Sequence, residues 1–214
     1  MTTLEYLVTD AMKSEARVLQ CLTLEDGSIG VILDRTIFHV QGGGQPSDVG
    51  TIGEARVLKV IRTESGILHL VDREIEEKEV VLSVDANVRQ WHSRLHSAGH
   101  LIGMAIETMG WRAIKGNHQP GQCRVMGTKV DESAPVPEKE AIERVVNAWI
   151  DVGLEVRLTN TDGLRTVTWG DLKAFPCGGT HVQNTRELTG FTVESVKFKK
   201  GELRVAYQLA DTNG

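Results

Sequence analysis

The first 85 residues contain short segments rich in branched aliphatic residues, and this pattern limits the possible folds more than any other feature. The segments occupy positions 15–24, 28–34, 54–62, 67–71 and 79–84. Asp-Gly, Ser-Gly and Gly-rich sequences separate them, as is typical of turns between strands. Several short strands at close spacing predict a small β-barrel or β-sandwich in this part of the chain.

The pattern becomes helical at Asn87. Apolar residues then recur near helical spacing up to Gly110, namely Trp91, Leu95, Ala98, Ile102, Ala105 and Met109. A second helix is predicted over 137–152, with Pro137 in its first turn and Gly153 at its end. Further strands are predicted at 154–159, 191–198 and 202–209. The C-terminal part is therefore predicted to be α+β.

Composition narrows the class of protein. The chain has 214 residues, of which 40% are hydrophobic and 25% charged, as in an ordinary globular protein. No stretch approaches the roughly 20 apolar residues of a membrane span, and the N-terminus lacks the pattern of a secretory signal. The sequence thus predicts a cytoplasmic protein without a membrane partner. Its three cysteines are an odd, dispersed set, so each thiol is expected to serve packing or metal binding.

The formal net charge of −5 counts against non-specific binding to nucleic acid, which depends on neutralising phosphates. A local basic patch is compatible with this charge. Lys197, Lys199, Lys200 and Arg204 form the best candidate. The alternative interpretation is that they are the solvated surface of a hairpin.

Three histidines, His92, His96 and His100, follow one another at four-residue intervals in the sequence HSRLHSAGH. Residues four apart on a helix lie one above the other, about 5–6 Å between Cβ atoms, so two imidazoles can bind one metal ion. The 92/96 and 96/100 pairs satisfy this geometry equally well.

A second pair of possible ligands occurs in CGGTH, where Cys177 and His181 flank a flexible Gly-Gly-Thr sequence. The alternative is a tight turn around a buried thiol. Together the two pairs supply three nitrogens and one sulfur, a set that suits zinc. Zinc chemistry predicts a hydrolytic reaction. Four protein ligands would, however, fill a tetrahedral zinc, whereas catalytic sites keep one position open.

The Gly-rich sequence QGGGQPSD at 41–48 is the third motif. A phosphate-binding loop would require a Gly-Lys-Ser/Thr sequence and a helix after the glycines, whereas Pro46 and Ser-Asp follow here. Nucleotide binding is therefore disfavoured and no use of ATP is expected. A loop that approaches a partner or the other domain closely is the better interpretation.

Taken together, HSAGH, CGGTHV with the following Asn-Thr, and GGGQPSDVG resemble the AlaX family, free-standing relatives of the alanyl-tRNA synthetase editing domain. The resemblance extends from about Val31 to Tyr207 and is closest to the medium-length class. It implies an α+β fold in which a small N-terminal β-barrel, residues 1–86, precedes a zinc-binding editing domain, residues 87–214. That second domain would be similar to the editing domains of threonyl- and alanyl-tRNA synthetases.

The resemblance also implies the site residues. It identifies the zinc ligands as His96, His100, Cys177 and His181, and leaves His92 outside the set. It places substrate-binding groups in and just before the Gly-rich loop, at Thr36, Gly42, Gly43, Gly44 and Gln45. Thr36 matches a threonine that would bind the serine hydroxyl, although an ordinary strand threonine is the alternative. No catalytic acid or base is assigned.

The activity implied is zinc-dependent hydrolysis of the ester that links a wrong amino acid to tRNA(Ala), serine in the main, with glycine as a second candidate. A synthetase pocket made for a methyl group rejects glycine and serine weakly, so a second hydrolytic site supplies the missing discrimination. The alternative is a non-catalytic, zinc-stabilised tRNA-binding module. A synthetase is not expected, because 214 residues leave no room for an ATP-using domain beside the two predicted domains.

The chain departs from the family pattern in two places. It has Phe38-His39-Val40 before the glycines and Asn117-His118-Gln119-Pro120 after the first helix. His118 and Gln119 are compatible with a place in the pocket, without an assigned role. Cys123, in the unfamiliar QCRVM sequence, is interpreted as a packing thiol.

Overall fold

A computed structural model describes residues 1–161 and 163–211. The chain forms two compact units. The first unit contains residues 1–42 and 46–90, and the second contains residues 43–45 and those from 91 onwards. The middle of the Gly-rich loop therefore belongs with the second unit. Neither α-helix in the described residues has the length and apolar character needed to cross a membrane.

The first unit is built from short strands and one 3-10 helix, Glu5–Leu7. Its strands are β1 Thr3–Leu4, β2 Lys13–Thr23, β3 Ile29–Leu33, β4 Arg35–Thr36, β5 Gly50–Ile52, β6 Ala55–Thr63, β7 Gly66–Val71 and β8 Glu79–Val84. Six of them close into a barrel in the order β2-β3-β7-β6-β5-β8, with antiparallel neighbours throughout. The two short strands β1 and β4 pair in parallel.

Aliphatic side chains fill the first unit. Its fully buried apolar residues are branched or aromatic, namely Val31, Leu33, Ile37, Phe38, Ile52, Val60 and Leu82. Along β6, Ala55 and Val57 point into this core while Arg56 and Leu58 are exposed. This alternation is the period of two that a half-buried strand requires.

A buried ion pair ties the start of the first helix to the barrel core. Arg89 donates from Nε to both carboxylate oxygens of Asp48, at 2.9 Å each, and from its guanidinium to the carbonyl of Ile37 at 2.7 Å. The Asp48 carboxylate also accepts from the backbone N–H of His39 at 2.6 Å. Both charged side chains are at most 5% exposed. Each charge is therefore compensated by several hydrogen bonds, as burial demands.

The second unit contains two helices and seven strands within the described residues. They are α1 Ala86–Glu107, whose first turn belongs to the first unit, then β9 Trp111–Asn117, β10 Arg124–Lys129, α2 Lys139–Val152, β11 Val156–Thr161, β12 Leu164–Trp169, β13 Phe175–Pro176, β14 Thr192–Lys199 and β15 Glu202–Gln208. A 3-10 helix, Thr185–Leu188, precedes β14. One antiparallel sheet has the order β14-β15-β10-β9 and another has the order β11-β12-β13.

The apolar stripes of both helices pack into one core with the inner side of the four-stranded sheet. From α1 come Ala98, Leu101, Ile102 and Ala105, and from α2 come Ile142, Val146 and Ile150, all at most 5% exposed. These positions recur at the three- and four-residue spacing of a helix. Gly153 ends α2 in the left-handed conformation, with φ of 75°.

The predicted α+β class is confirmed, and the structure corrects several details. Helix α2 begins at Lys139 with Glu138 as its N-cap, so Pro137 precedes the helix rather than occupying its first turn. Strands β9, β10 and β12 were not predicted. In β9 and β10, Gly116 and Gly127 interrupt the apolar alternation. The two strands pair with each other, and β10 also pairs with β15, which is remote in sequence.

We expect Arg89→Met to destabilise the protein by about 3–5 kcal/mol, because it leaves the Asp48 carboxylate buried without its cation. The free energy of unfolding in urea measures this loss. Arg17→Met is the matched control, since Arg17 pairs with Glu79 at 3.0 Å on the surface of the same unit. That change should cost about 0–1 kcal/mol. Equal losses for the two variants would contradict the role given to the buried pair.

Candidate active site

Four potential ligands converge in the second unit. The ligand atoms of His96, His100, Cys177 and His181 all lie within 4.8 Å of one another. The Nε2 atoms of His96 and His100 are 3.0 Å apart, and Cys177 Sγ lies 3.3 Å from Nε2 of His100 and 3.7 Å from Nε2 of His96. His92, the third histidine of the helical series, is not part of this group.

Helix α1 and the segment after β13 each supply two of the four side chains. His96 and His100 lie one turn apart on α1. The backbone N–H of Cys177 donates to the carbonyl of Arg165, in β12. The Arg165 guanidinium in turn donates to the carbonyls of Cys177 at 2.6 Å and Gly179 at 3.0 Å. One arginine thus fixes the backbone that carries Cys177 and His181.

Thr180 orients the His96 imidazole. Its carbonyl lies 3.1 Å from Nδ1 of His96 and can only accept, so Nδ1 carries the proton and Nε2 offers its lone pair to the cluster. Gln45 holds Thr180 through both ends of its carboxamide, donating to the threonine hydroxyl at 2.7 Å and accepting from its N–H at 3.1 Å. The hydroxyl of Thr180 also shares a hydrogen bond with the Ser93 hydroxyl, 2.6 Å away.

Two glycines permit the close approach of these segments. A Cβ on Gly179 would lie 2.2 Å from Cε1 of His96, and a Cβ on Gly44 would lie 2.3 Å from the carbonyl oxygen of Gly116. Gly44 also has a φ of 83°, a conformation that favours glycine. Its carbonyl accepts from the N–H of His118 at 2.9 Å. The Gly-rich loop therefore packs directly against the segment that leads to His118.

Burial keeps the imidazoles of His96 and His100 neutral. Burial, reinforced by the neighbouring histidines His100, His181 and His118, places the pKa of His96 well below its usual range. Burial lowers the pKa of His100 to about 3, with His118 adding to the effect. The same desolvation raises the pKa of the Cys177 thiol. Neutral imidazoles have free lone pairs, which is the protonation state that metal binding requires.

The donor set fits a small divalent cation. Tetrahedral zinc with two nitrogen ligands or one nitrogen and one sulfur ligand places them roughly 3.3–3.8 Å apart. The Sγ–Nε2 separations of 3.3 and 3.7 Å match this spacing. A nearby dication would favour the Cys177 thiolate and so oppose the effect of burial on the thiol. These four side chains could therefore hold a metal ion.

A cavity of about 370 Å³ opens beside the cluster. His100, His118 and Phe175 lie along its wall, together with Gly43 of the Gly-rich loop and Lys115 of β9. The Phe175 ring stacks on His100 with a centroid distance of 4.1 Å. The cavity has the size of a small-molecule site, with an apolar wall and a few polar groups.

His118 lies in the wall of this cavity with a fixed tautomer. The Tyr207 hydroxyl donates to the Leu95 carbonyl at 2.8 Å, so its oxygen accepts the Nδ1 proton of His118 at 2.6 Å. The opposite nitrogen, Nε2, is then a hydrogen-bond acceptor. Burial lowers the pKa of His118 to about 4, which keeps the ring neutral. The centroid of this ring is 5.0 Å from that of His96.

Two glycines, Gly99 and Gly116, leave the space that the His118 ring occupies. A Cβ on Gly99 would lie 2.3 Å from Cε1 of His118, and one on Gly116 would lie 2.3 Å from its Nε2. Glycine inside a helix costs about 1 kcal/mol relative to alanine. Gly99 was therefore a sequence signal that a bulky group approaches α1 between the two histidines, and the prediction did not use it.

The predicted substrate-binding residues lie in different environments. Gln45 is 1% exposed, and its carboxamide is engaged by Thr180. Gly42, Gly43 and Gly44 are exposed. In the first unit, Thr36 is fully buried.

A hydrogen bond inside the first unit commits the Thr36 hydroxyl proton. Nδ1 of His69 contacts the Val31 carbonyl at 3.1 Å and must be the donor. Nε2 of His69 is then an acceptor, and it receives the Thr36 proton at 2.8 Å. Oγ1 of Thr36 also accepts from the N–H of Phe38. Burial lowers the pKa of His69 to about 4, so the ring stays neutral.

The other cysteines lie outside the cluster. Cys123 is 5% exposed and packs in the core of the second unit, where its thiol contacts the Gln119 carbonyl at 3.2 Å. Burial raises its pKa to about 11. Cys21 is exposed in the first unit. Neither thiol belongs to the group of possible metal ligands.

No model of a known protein family matches the chain. The alanyl-tRNA editing protein AlaX-M of Pyrococcus horikoshii is 34% identical over 189 residues, which cover 84% of each chain. AlaX-M of Methanosarcina barkeri is 30% identical over 220 residues, covering 85% of this chain and 89% of the relative.

Relatives of another class are longer than this chain, and the similarity covers only part of their length. The alanine–tRNA ligase of Halorubrum lacusprofundi is 33% identical over 207 residues, which cover 81% of this chain but 22% of the ligase. The similarity to the two AlaX-M proteins, in contrast, extends over more than four fifths of every chain compared. The chain therefore belongs to the AlaX family of alanyl-tRNA editing proteins.

Proposed function

We propose that the protein hydrolyses the ester of mischarged tRNA(Ala), with Ser-tRNA(Ala) as the main substrate, Gly-tRNA(Ala) as a second candidate, and zinc as the cofactor. The observation that carries the proposal is the convergence of His96, His100, Cys177 and His181 beside a cavity of about 370 Å³. The names of the AlaX-M relatives describe alanyl-tRNA editing. The second unit would then be an editing domain of the synthetase type, acting in the cytoplasm.

The four converging side chains would hold the zinc ion. Zinc bound there would supply Lewis-acid polarisation of the ester carbonyl and of water. The Thr180 carbonyl keeps Nε2 of His96 unprotonated, which is the state a ligand needs. Gln45 acts in this scheme as a positioning residue, because its carboxamide fixes Thr180 rather than reaching into the cavity.

The chain's own residues prepare the cavity for the ester. In hydrolysis, the water oxygen bonds to the carbonyl carbon, the ester C–O bond breaks, and the ribose hydroxyl takes a proton. Nε2 of His118 offers an acceptor at the cavity wall, and Tyr207 keeps that nitrogen unprotonated. We infer that His118 orients a hydroxyl, an ammonium group or the attacking water. Phe175 limits the water that reaches His100 by covering its ring.

Discrimination between amino acids belongs to the same proposal. A site with a polar group for the serine hydroxyl rejects the alanine ester, because the buried polar group would be left without its partner. Thr36 remains the proposed serine-binding residue, and Gly42, Gly43 and Gly44 are proposed to line the path of the substrate. Because the Thr36 hydroxyl donates its proton to His69, its oxygen would accept a hydrogen bond from the serine hydroxyl.

The direct test is to charge tRNA(Ala) with serine, glycine or alanine and to follow deacylation with and without a chelator. We expect rapid loss of the serine ester, slower loss of glycine, no loss of alanine, and inhibition by the chelator. Seryl-tRNA(Ser) is the control substrate and should stay charged. A zinc-loaded protein that hydrolyses none of these esters would instead be a non-catalytic tRNA-binding module.

Cys177→Ala should lower zinc content and abolish deacylation, because it removes the only sulfur of the cluster. Metal analysis of the purified protein, with thermal unfolding as a check on folding, measures this. Cys123→Ala is the matched control, since Cys123 is a buried thiol outside the cluster. Full zinc content in the Cys177 variant would remove this residue from the ligand set.

Gln45→Leu should lower zinc affinity by about 10- to 100-fold, because loss of both bonds to Thr180 frees the backbone that orients His96. Competition with a coloured chelator measures the affinity, and added zinc should partly restore kcat. Gln41→Leu, an exposed position of the same loop, is the control. A higher KM with unchanged zinc affinity would show that Gln45 contacts substrate instead.

A further inference from the structure

The solvent side of the four-stranded sheet carries an excess of positive charge. Its strands β9, β10, β14 and β15 contain seven lysines and arginines but two glutamates, a net of five positive charges. The whole chain, in contrast, has a net charge of −5. Positive charge is therefore concentrated on one sheet of an acidic protein.

Strand register places six of these cations on the outer side. Lys115 pairs with Met126, which pairs with Arg204, which pairs with Lys197 across the sheet. These four residues form one row across the sheet. A second row consists of Arg112, Thr128, Glu202 and Lys199, and a third row contains Arg124. The inner side is set by the buried partners Val125 and Val205. We call this outer surface the cationic face: Arg112, Lys115, Arg124, Lys197, Lys199 and Arg204.

The cations of this face are available to an external anion. Five of the six residues are exposed, and Arg124 is half-buried. No salt bridge is formed by any of the six within the described residues. Glu194 and Glu202 are the two acidic residues on these strands. Because like charges close together repel, such a row is stabilised when an anion lies across it.

The cationic face is continuous with the candidate active site. Lys115 and Gly116 of β9 line the cavity of about 370 Å³ beside His100 and His118. The same two residues, with Arg124, also line a groove of about 240 Å³ on the sheet. A chain whose end enters the cavity would therefore pass directly onto the face. Neighbouring strands are about 4.8 Å apart, so one row offers positive charge over roughly 14 Å.

We propose that the cationic face binds the phosphate backbone of the tRNA acceptor arm while the aminoacylated end occupies the cavity. This rests on the proposed function for the identity of the RNA. Double-stranded RNA is recognised mainly through its backbone and shape, and phosphate contacts fix position rather than sequence. The face thus supplies affinity and orientation, and an acidic chain binds RNA because its cations are gathered on one side.

The test uses two triple variants of the full chain with the same change in net charge. The face variant is Arg124→Gln, Lys197→Gln and Arg204→Gln. The control is Lys139→Gln, Arg144→Gln and Arg157→Gln, three exposed cations on α2 and β11 of the same unit. None of the six substituted residues in these two variants lines the active-site cavity. Zinc content and thermal unfolding should match the wild type in both variants.

Four measurements test the proposal. The face variant should lose about 10- to 100-fold in affinity for uncharged tRNA(Ala) and in kcat/KM on Ser-tRNA(Ala). The slope of its log binding constant against log salt concentration should become shallower, by the amount that corresponds to about two to three lost phosphate contacts. Hydrolysis of the serine ester of adenosine, which lacks the acceptor stem, should stay within about twofold of wild type. The control should behave as wild type throughout.

Other outcomes overturn the proposal. Equal tRNA affinity in the face and control variants would assign the face to a different occupant, such as an acidic protein surface. Loss of activity on the adenosine ester as well would show an effect on the site rather than on RNA binding. If the wild type hydrolyses no ester, the proposed function fails by itself, and tRNA binding by wild type and variants still decides the role of the face.

Discussion

The hydrogen bonds of Thr180 are the constraint on which the candidate active site depends. Its carbonyl orients His96, its hydroxyl bonds to both Gln45 and Ser93, and its N–H donates to the Gln45 carboxamide oxygen. One residue between Cys177 and His181 thus links helix α1, the Gly-rich loop and the ligand segment. Buried polar groups of this kind specify one geometry because any missing partner would be costly. This hydrogen-bond network therefore fixes the positions of the side chains in the ligand cluster.

Close backbone approach is the second physical basis of the site. Gly99 and Gly116 leave space for the His118 ring, and Gly179 leaves space for His96. Any larger residue would collide with an imidazole. The histidines are consequently closely packed, and their pKa values are low because burial disfavours the imidazolium ion. Neutral rings, fixed tautomers and convergent lone pairs all follow from that packing.

Charge distribution connects the site to its proposed substrate. An overall charge of −5 argues against non-specific nucleic-acid binding. From sequence, two interpretations were open for the basic hairpin residues Lys197, Lys199, Lys200 and Arg204, a solvated surface and a patch that binds a partner. Pairing of β14 and β15 with β10 and β9 adds Arg112, Lys115 and Arg124 on the same side. Strand register therefore shows which cations lie on one side of the sheet, which a local count of charges cannot show, because β10 and β15 pair although they are remote in sequence.

Sequence by itself predicted the change from strands to helix near residue 86, the α+β class, the two His/Cys pairs and, through resemblance, the choice of His96 and His100 rather than His92 as ligands. Apart from the choice of His96 and His100, which the resemblance implied, those features are local, since they follow from periodicity, spacing and turn chemistry. Tertiary structure alone decided the partners of Gln45, His118 and Arg89, which are 135, 89 and 41 positions away along the chain. No local pattern encodes such contacts, because they form only when packing brings distant segments together.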